Sequence, residues 1–143
     1  MNKPIKIDFN YSEKTKRADC IIWYNNDIKF VGTANCSPED KNIATSGIGQ
    51  SIAHLRATIK YLRFIRDFEI KPKLEASLQL YYAMNRSKNY NKKSYESKML
   101  YRQIQNYKND IEAIKEEISI LKNHLKDTLN GIEEFKKHKD KKK

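Results

Sequence analysis

The sequence predicts an α+β protein: a small N-terminal antiparallel β-hairpin or sheet packed on a helix, followed by a long C-terminal coiled-coil helix. Three observations carry this expectation. Alternating and β-branched segments lie within the first 35 residues, apolar residues recur at helical spacing from Ser46, and a seven-residue repeat fills the last third. The expected division is 1–70 for the hairpin-plus-helix module, 71–93 for a short helix and basic connector, 94–136 for the coiled-coil helix and 137–143 for a disordered basic tail.

Ile5, Ile7 and Phe9 alternate with Lys6 and Asp8, the period of two of a half-buried strand. A second strand spans 19–24, rich in β-branched and aromatic side chains, and a return strand covers 28–33. Between them Asn25, Asn26 and Asp27 tolerate positive φ and suit a tight hairpin turn. Residues 36–42 read as a loop. From Ser46 to about Glu69, Ile48, Ile52, Leu55, Ile59, Leu62 and Ile65 fall three or four apart and build one apolar stripe. Pro72 must end or reset this helix, because it lacks an N–H and its ring meets the preceding turn. A second helix, 73–85, carries Leu74, Leu78, Tyr81 and Met84 on one side.

The repeat in the last third is strict. Positions 104, 111, 118, 125 and 132 are Ile104, Ile111, Ile118, Leu125 and Ile132; three residues after each come Tyr107, Ile114, Leu121, Thr128 and Phe135. Leu100 extends the second row upstream. Such a seam, about 40 residues and about 60 Å long, is the pattern of a coiled coil. In a parallel pair Asp110 would face Lys115 of a second copy, and Glu117 would face Lys122. An antiparallel pair would set lysine against lysine. The signs therefore favour self-association as a parallel dimer or trimer, the alternative being a helix that folds back on the first helix inside one chain.

Composition excludes several classes. The 143 residues are 38 % hydrophobic, below the roughly 45–50 % usual for a globule, so part of the chain should be elongated or exposed. No run of 18 apolar residues exists, so no membrane partner is expected. The first ten residues lack an apolar signal core, and Cys20 and Cys36 read as cytosolic free thiols. His54, His124 and His138 have no ligand spacing to each other or to cysteine, so neither a metal nor another cofactor is expected. Gly47 and Gly49 lie in a sequence, Gly-Ile-Gly-Gln-Ser, that carries neither the dinucleotide fingerprint nor a P-loop. It reads as a helix start, or, on a rival reading, as the anion site of a sponge for a nucleotide signal. No catalytic constellation is recognisable, and a non-enzymatic protein is expected.

The net charge of +11 is the stronger lead. Residues 86–102 carry Arg86, Lys88, Lys92, Lys93, Lys98 and Arg102 against the single acid Glu96, with Tyr82, Tyr90, Tyr95 and Tyr101 interleaved or adjoining. Cations neutralise phosphates and aromatic faces stack on unpaired bases, so this mixture suits single-stranded or irregular nucleic acid. Arg56, Lys60 and Arg63 offer a second basic face at helical spacing. The expected binding residues for nucleic acid or an acidic partner surface are thus Arg56, Lys60, Arg63, Arg86, Lys88, Tyr90, Lys92, Lys93, Tyr95 and Arg102. Those expected to drive oligomerisation are Leu100, Ile104, Tyr107, Ile111, Ile114, Ile118, Leu121, Leu125 and Ile132.

Residues 30–40, Phe-Val-Gly-Thr-Ala-Asn-Cys-Ser-Pro-Glu-Asp, followed by Gly49, Ile52-Ala53 and Arg56-Ala57-Thr58-Ile59-Lys60, resemble a hairpin-then-helix module of small proteins from bacteriophages and prophages of low-GC Gram-positive bacteria. The resemblance covers residues 18–66 and transfers no catalytic residue. It implies a protein of a phage or mobile element acting in the host cytoplasm. The partner it implies is a nucleic-acid-handling host complex such as a CRISPR nuclease, inhibited through a basic surface. A homo-oligomeric assembly protein is the alternative from a different class.

Overall fold

The computed structural model of the chain describes residues 4–35, 46–86 and 95–141. Three strands, β1 (Lys6–Ser12), β2 (Arg17–Trp23) and β3 (Lys29–Asn35), precede α1 (Ser46–Phe64), a π-helical turn (Ile65–Ile70), α2 (Lys71–Asn85) and α3 (Tyr95–Lys141). This is the α+β layout that the sequence predicts. The chain divides into two compact units, Met1–Tyr61 with Ile118–Lys143, and Leu62–Glu117.

In the first unit the sheet is antiparallel with order β1-β2-β3. Cys20 stands opposite Phe9 on one side and Gly32 on the other, so Phe9, Cys20 and Gly32 share a face. That face meets α1, and the approach is close. A Cβ at Gly32 would run into the carbonyl oxygen of Ala53 and the amide nitrogen of Ala57, while one at Gly49 would come to 3.2 Å from the Ala18 methyl. Ala18, Cys20, Ile22, Ala34, Ile52, Ala53, Leu55, Ala57 and Ile59 form the buried centre. Burial pushes the Cys20 thiol up to about 11, which keeps it protonated and unreactive.

Two details of the sheet correct the sequence reading. The hairpin between β2 and β3 uses no positive φ; the only described non-glycine residue with one is Lys16, at 54°, in the turn before β2. Instead the Asn25 Oδ1 accepts the amides of Asp27 (2.9 Å) and Ile28 (2.7 Å), an Asx turn built by the side chain. In β1 the alternation is present but Ile5, Ile7 and Phe9 are exposed, by 60 %, 42 % and 47 %. The close packing of α1 falls on β2 and β3, so the apolar side of β1 lies beyond that cover, apart from an aromatic contact of Phe9 with His54 at 5.8 Å.

In the second unit Pro72 resets the helix rather than ending it. The Lys71 amide bonds back to the Arg66 carbonyl, five residues earlier, and Pro72 then stands in the first turn of α2. One residue more per turn relieves the ring's clash with a carbonyl and leaves its missing N–H where helix starts tolerate it. Asp67 ties the turn together. Its carboxylate accepts Arg66 Nε at 2.8 Å and Nη2 at 3.2 Å, with Lys71 Nζ at 3.1 Å, and these cations hold its carboxyl down at about 2. Leu74, Leu78, Tyr81 and Met84 form the half-buried side of α2, as their spacing predicts.

The helix α3 begins within a residue of the expected position but runs on to Lys141. Residues 137–141, expected to be disordered, are helical, because lysine is a good helix former and each added residue extends an existing hydrogen-bonded ladder. Residues 142–143 lie outside the described residues. No described helix is long and apolar enough to cross a membrane.

Candidate nucleic-acid interface

The second unit gathers most of the described aromatic and basic candidates. On α3, Tyr95, Lys98 and Arg102 are three and four residues apart, which sets them on one side of the helix. Tyr95 is 74 % exposed, and Tyr82 and Tyr101 are each 53 % exposed. Tyr81, half-buried on α2, bridges them, with its ring centre 6.2 Å from Tyr101 and 6.4 Å from Tyr82. Tyr81, Ser97, Lys98, Tyr101, Arg102 and Gln105 line a shallow cleft of about 440 Å³. Its floor includes the buried Ser97, and its rim carries two cations. Arg102 also borders a second cleft of about 480 Å³, whose apolar lining is Leu80, Met84, Met99 and Leu100.

Tyrosine rings left in water are costly to hydrate, and their proximity to cations creates a surface with both flat apolar faces and positive charge. Among the described residues, neither Lys98 nor Arg102 has an acidic partner within ion-pair distance. Their charge is available to an outside anion. The exposed part of the Tyr101 ring is open to a planar group, while a phosphate would meet the neighbouring cations.

Other candidates fall elsewhere. Arg56 Nη1 donates to the Thr33 carbonyl at 2.6 Å and Lys60 Nζ to the Val31 carbonyl at 2.7 Å. Both cations therefore cover the outer edge of β3, where main-chain carbonyls would otherwise be open. Arg63 and Arg86 are exposed. Lys88, Tyr90, Lys92 and Lys93 lie outside the described residues, as do Cys36 and the segment 36–40 of the phage-like module. At the start of α1, Gly49 is taken up by its approach to Ala18, and the Ser51 hydroxyl donates to the Gly47 carbonyl at 3.0 Å.

The seam residues are the least exposed apolar positions of α3. Leu100, Ile104, Ile111, Ile114 and Ile118 are buried, and Tyr107, Leu121, Leu125 and Ile132 are half-buried. The buried ones are covered within a single chain, so their burial does not require a second copy. Sequence reasoning named Lys98, Tyr82 and Tyr101 as part of the basic stretch but did not set them in the binding set, and it assigned Tyr81 to the core stripe. Ser97 and Gln105 gave no signal, since a serine and a glutamine in a polar helix become notable only when another helix lies beside them. Among the described residues, no three His, Cys, Asp or Glu side chains cluster as metal ligands. No family model, curated protein or solved structure matches the chain.

Proposed function

We propose that this is a non-enzymatic binding protein that holds single-stranded or irregular nucleic acid on the tyrosine-and-cation face of α2 and α3. The supporting observation is the exposure of Tyr95 and Tyr101 beside Lys98 and Arg102, cations with no described acidic partner. Stacking on a tyrosine face tolerates any base, and the cations supply the sequence-independent phosphate term. A duplex hides its base faces, so it would gain only the second of these. The setting in which the protein would act, inhibition of a host nucleic-acid-handling defence complex in the cytoplasm, rests on the phage-like module alone.

The test is fluorescence anisotropy with a labelled single strand and its duplex across a salt series. The single strand should bind more tightly, with affinity falling linearly in log salt. Tyr101→Ala should weaken single-strand binding about tenfold, and Arg102→Glu should flatten the salt slope. Equal affinity for strand and duplex, with Tyr101→Ala harmless, would remove the stacking face from the explanation. Absence of binding at low salt would overturn the reading.

A further inference from the structure

We infer that the free edge of β1 is a self-association site, at which two copies of the chain pair β1 with β1 antiparallel, centred on Ile7. The two edges of the sheet are treated differently. At the β3 edge the carbonyls of Thr33 and Val31 accept Arg56 and Lys60, so that edge is closed by side chains of the same chain. At the β1 edge no strand follows among the described residues, and Ile7 and Phe9 are exposed on the α1 side. An uncapped edge next to an apolar stripe is a template for another strand.

The hydrogen-bond parity selects which residues can pair. Because Val31 and Thr33 turn their carbonyls outward, Gly32 and Ala34 bond to Cys20 and Ala18. Asp19 and Ile21 then bond to Asn10 and Asp8, which leaves the main-chain groups of Ile7 and Phe9 pointing away from the sheet. A second strand must therefore bond to these. Centring on Asp8 would set the two Asp8 side chains against each other. Centring on Ile7 instead places Lys6 opposite Asp8 of the second copy, twice by symmetry, and sets Ile7 against its own symmetry mate. In that register Lys6 and Asp8 form the close, non-hydrogen-bonded pair, about 4.5 Å between Cα atoms, where opposite charges attract most. The apolar stripes of both copies become continuous on one face. The partner that fits this edge by charge and by shape is thus a second copy of this chain, through a two-fold, self-complementary contact.

The experiment is sedimentation velocity on the full chain over a concentration series, with folding checked by circular dichroism. A dimer should appear as concentration rises. Lys6→Glu and Asp8→Lys each create two like-charge pairs and should each weaken the dimer about tenfold. Mixing the two variants should restore it, since each then offers the charge that the other lacks. Asp8 also accepts the Trp23 indole N–H at 3.2 Å, so its variant loses a bond of the fold as well. Ile7→Cys in a Cys36→Ser background is the second probe. Cα atoms about 5.5 Å apart at the two-fold allow an oxidised dimer, while buried Cys20 remains inert. A monomer at every concentration, a dimer indifferent to both charge variants, or failure of Ile7→Cys to cross-link would overturn the assignment. Loss of the dimer on Leu125→Glu but not on Lys6→Glu would place self-association on the seam instead.

Discussion

The unit that contains the sheet and the unit that contains α2 exclude water in different ways. In the first, α1 lies so close to the strands that Gly32, Gly49, Ala18, Ala53 and Ala57 make the contact, and backbone meets backbone. In the second, Leu100, Ile104, Ile111 and Ile114 along α3 provide the burial, while most of the unit's tyrosines stay at or near the surface. Small-residue packing leaves no slack and presents little for a ligand. Aliphatic packing along a narrow seam leaves the flanks of each helix free, and the exposed aromatic and basic groups of the candidate interface occupy those flanks. The difference teaches that the more forgiving packing is the one that leaves exposed the face proposed for recognition.

The contrast can be broken most directly at Gly32. Gly32→Val drives a side chain into the backbone of α1, which cannot move aside as a flexible side chain would. A loss of about 4 kcal/mol or more in a urea titration is expected. A loss below about 1 kcal/mol would show that α1 can lift from the sheet. In the second unit the corresponding change is Ile114→Ala, at a position 1 % exposed, with an expected loss of about 3 kcal/mol. If both variants cost the same, the distinction between rigid and forgiving packing fails.

Two smaller effects sharpen it. Thr58 Oγ1 is buried on α1 without a hydrogen-bond partner among the described residues. Thr58→Val should raise stability by about 1 kcal/mol, measured by the same titration. A loss instead would mean that the hydroxyl has a bound water. Asp67 gives the smallest effect. Its folded pKa, about 2, lies below its ordinary value of 3.8, so its stabilisation is complete above that ordinary value and is lost as pH falls toward 2. Solvent screening holds the amount to about 0.5 kcal/mol. Asp67→Asn should lose that amount at neutral pH and become equal to the parent near pH 2 in thermal melts.

Much of this architecture is legible in the residues. The stripe from Ile48 to Ile65, the β-branched run in β2 and the heptads of α3 report local periodicity, which survives any tertiary arrangement. The exposure of Ile7 and Phe9 is not legible, because alternation tells which residues share a face but not how far a covering helix extends. Arg56 and Lys60 look like phosphate ligands for the same reason. Their helical spacing is visible, but the carbonyls of Thr33 and Val31, 23 and 29 residues away in sequence, are not. Tyr81 is a core residue by spacing, and only the neighbouring Tyr101 makes it part of a surface cluster.

The sequence by itself determined the α+β class, the order of strands and helices, a break at Pro72 and the seam of α3. All of these follow from side-chain period and from the missing amide of proline. Only the tertiary structure decided which cations are committed to the β3 edge, which tyrosines meet, and that the seam from Leu100 to Ile118 is covered within one chain. The reason is that exposure and hydrogen-bond partnership are properties of pairs of distant residues, and a linear pattern encodes only neighbours.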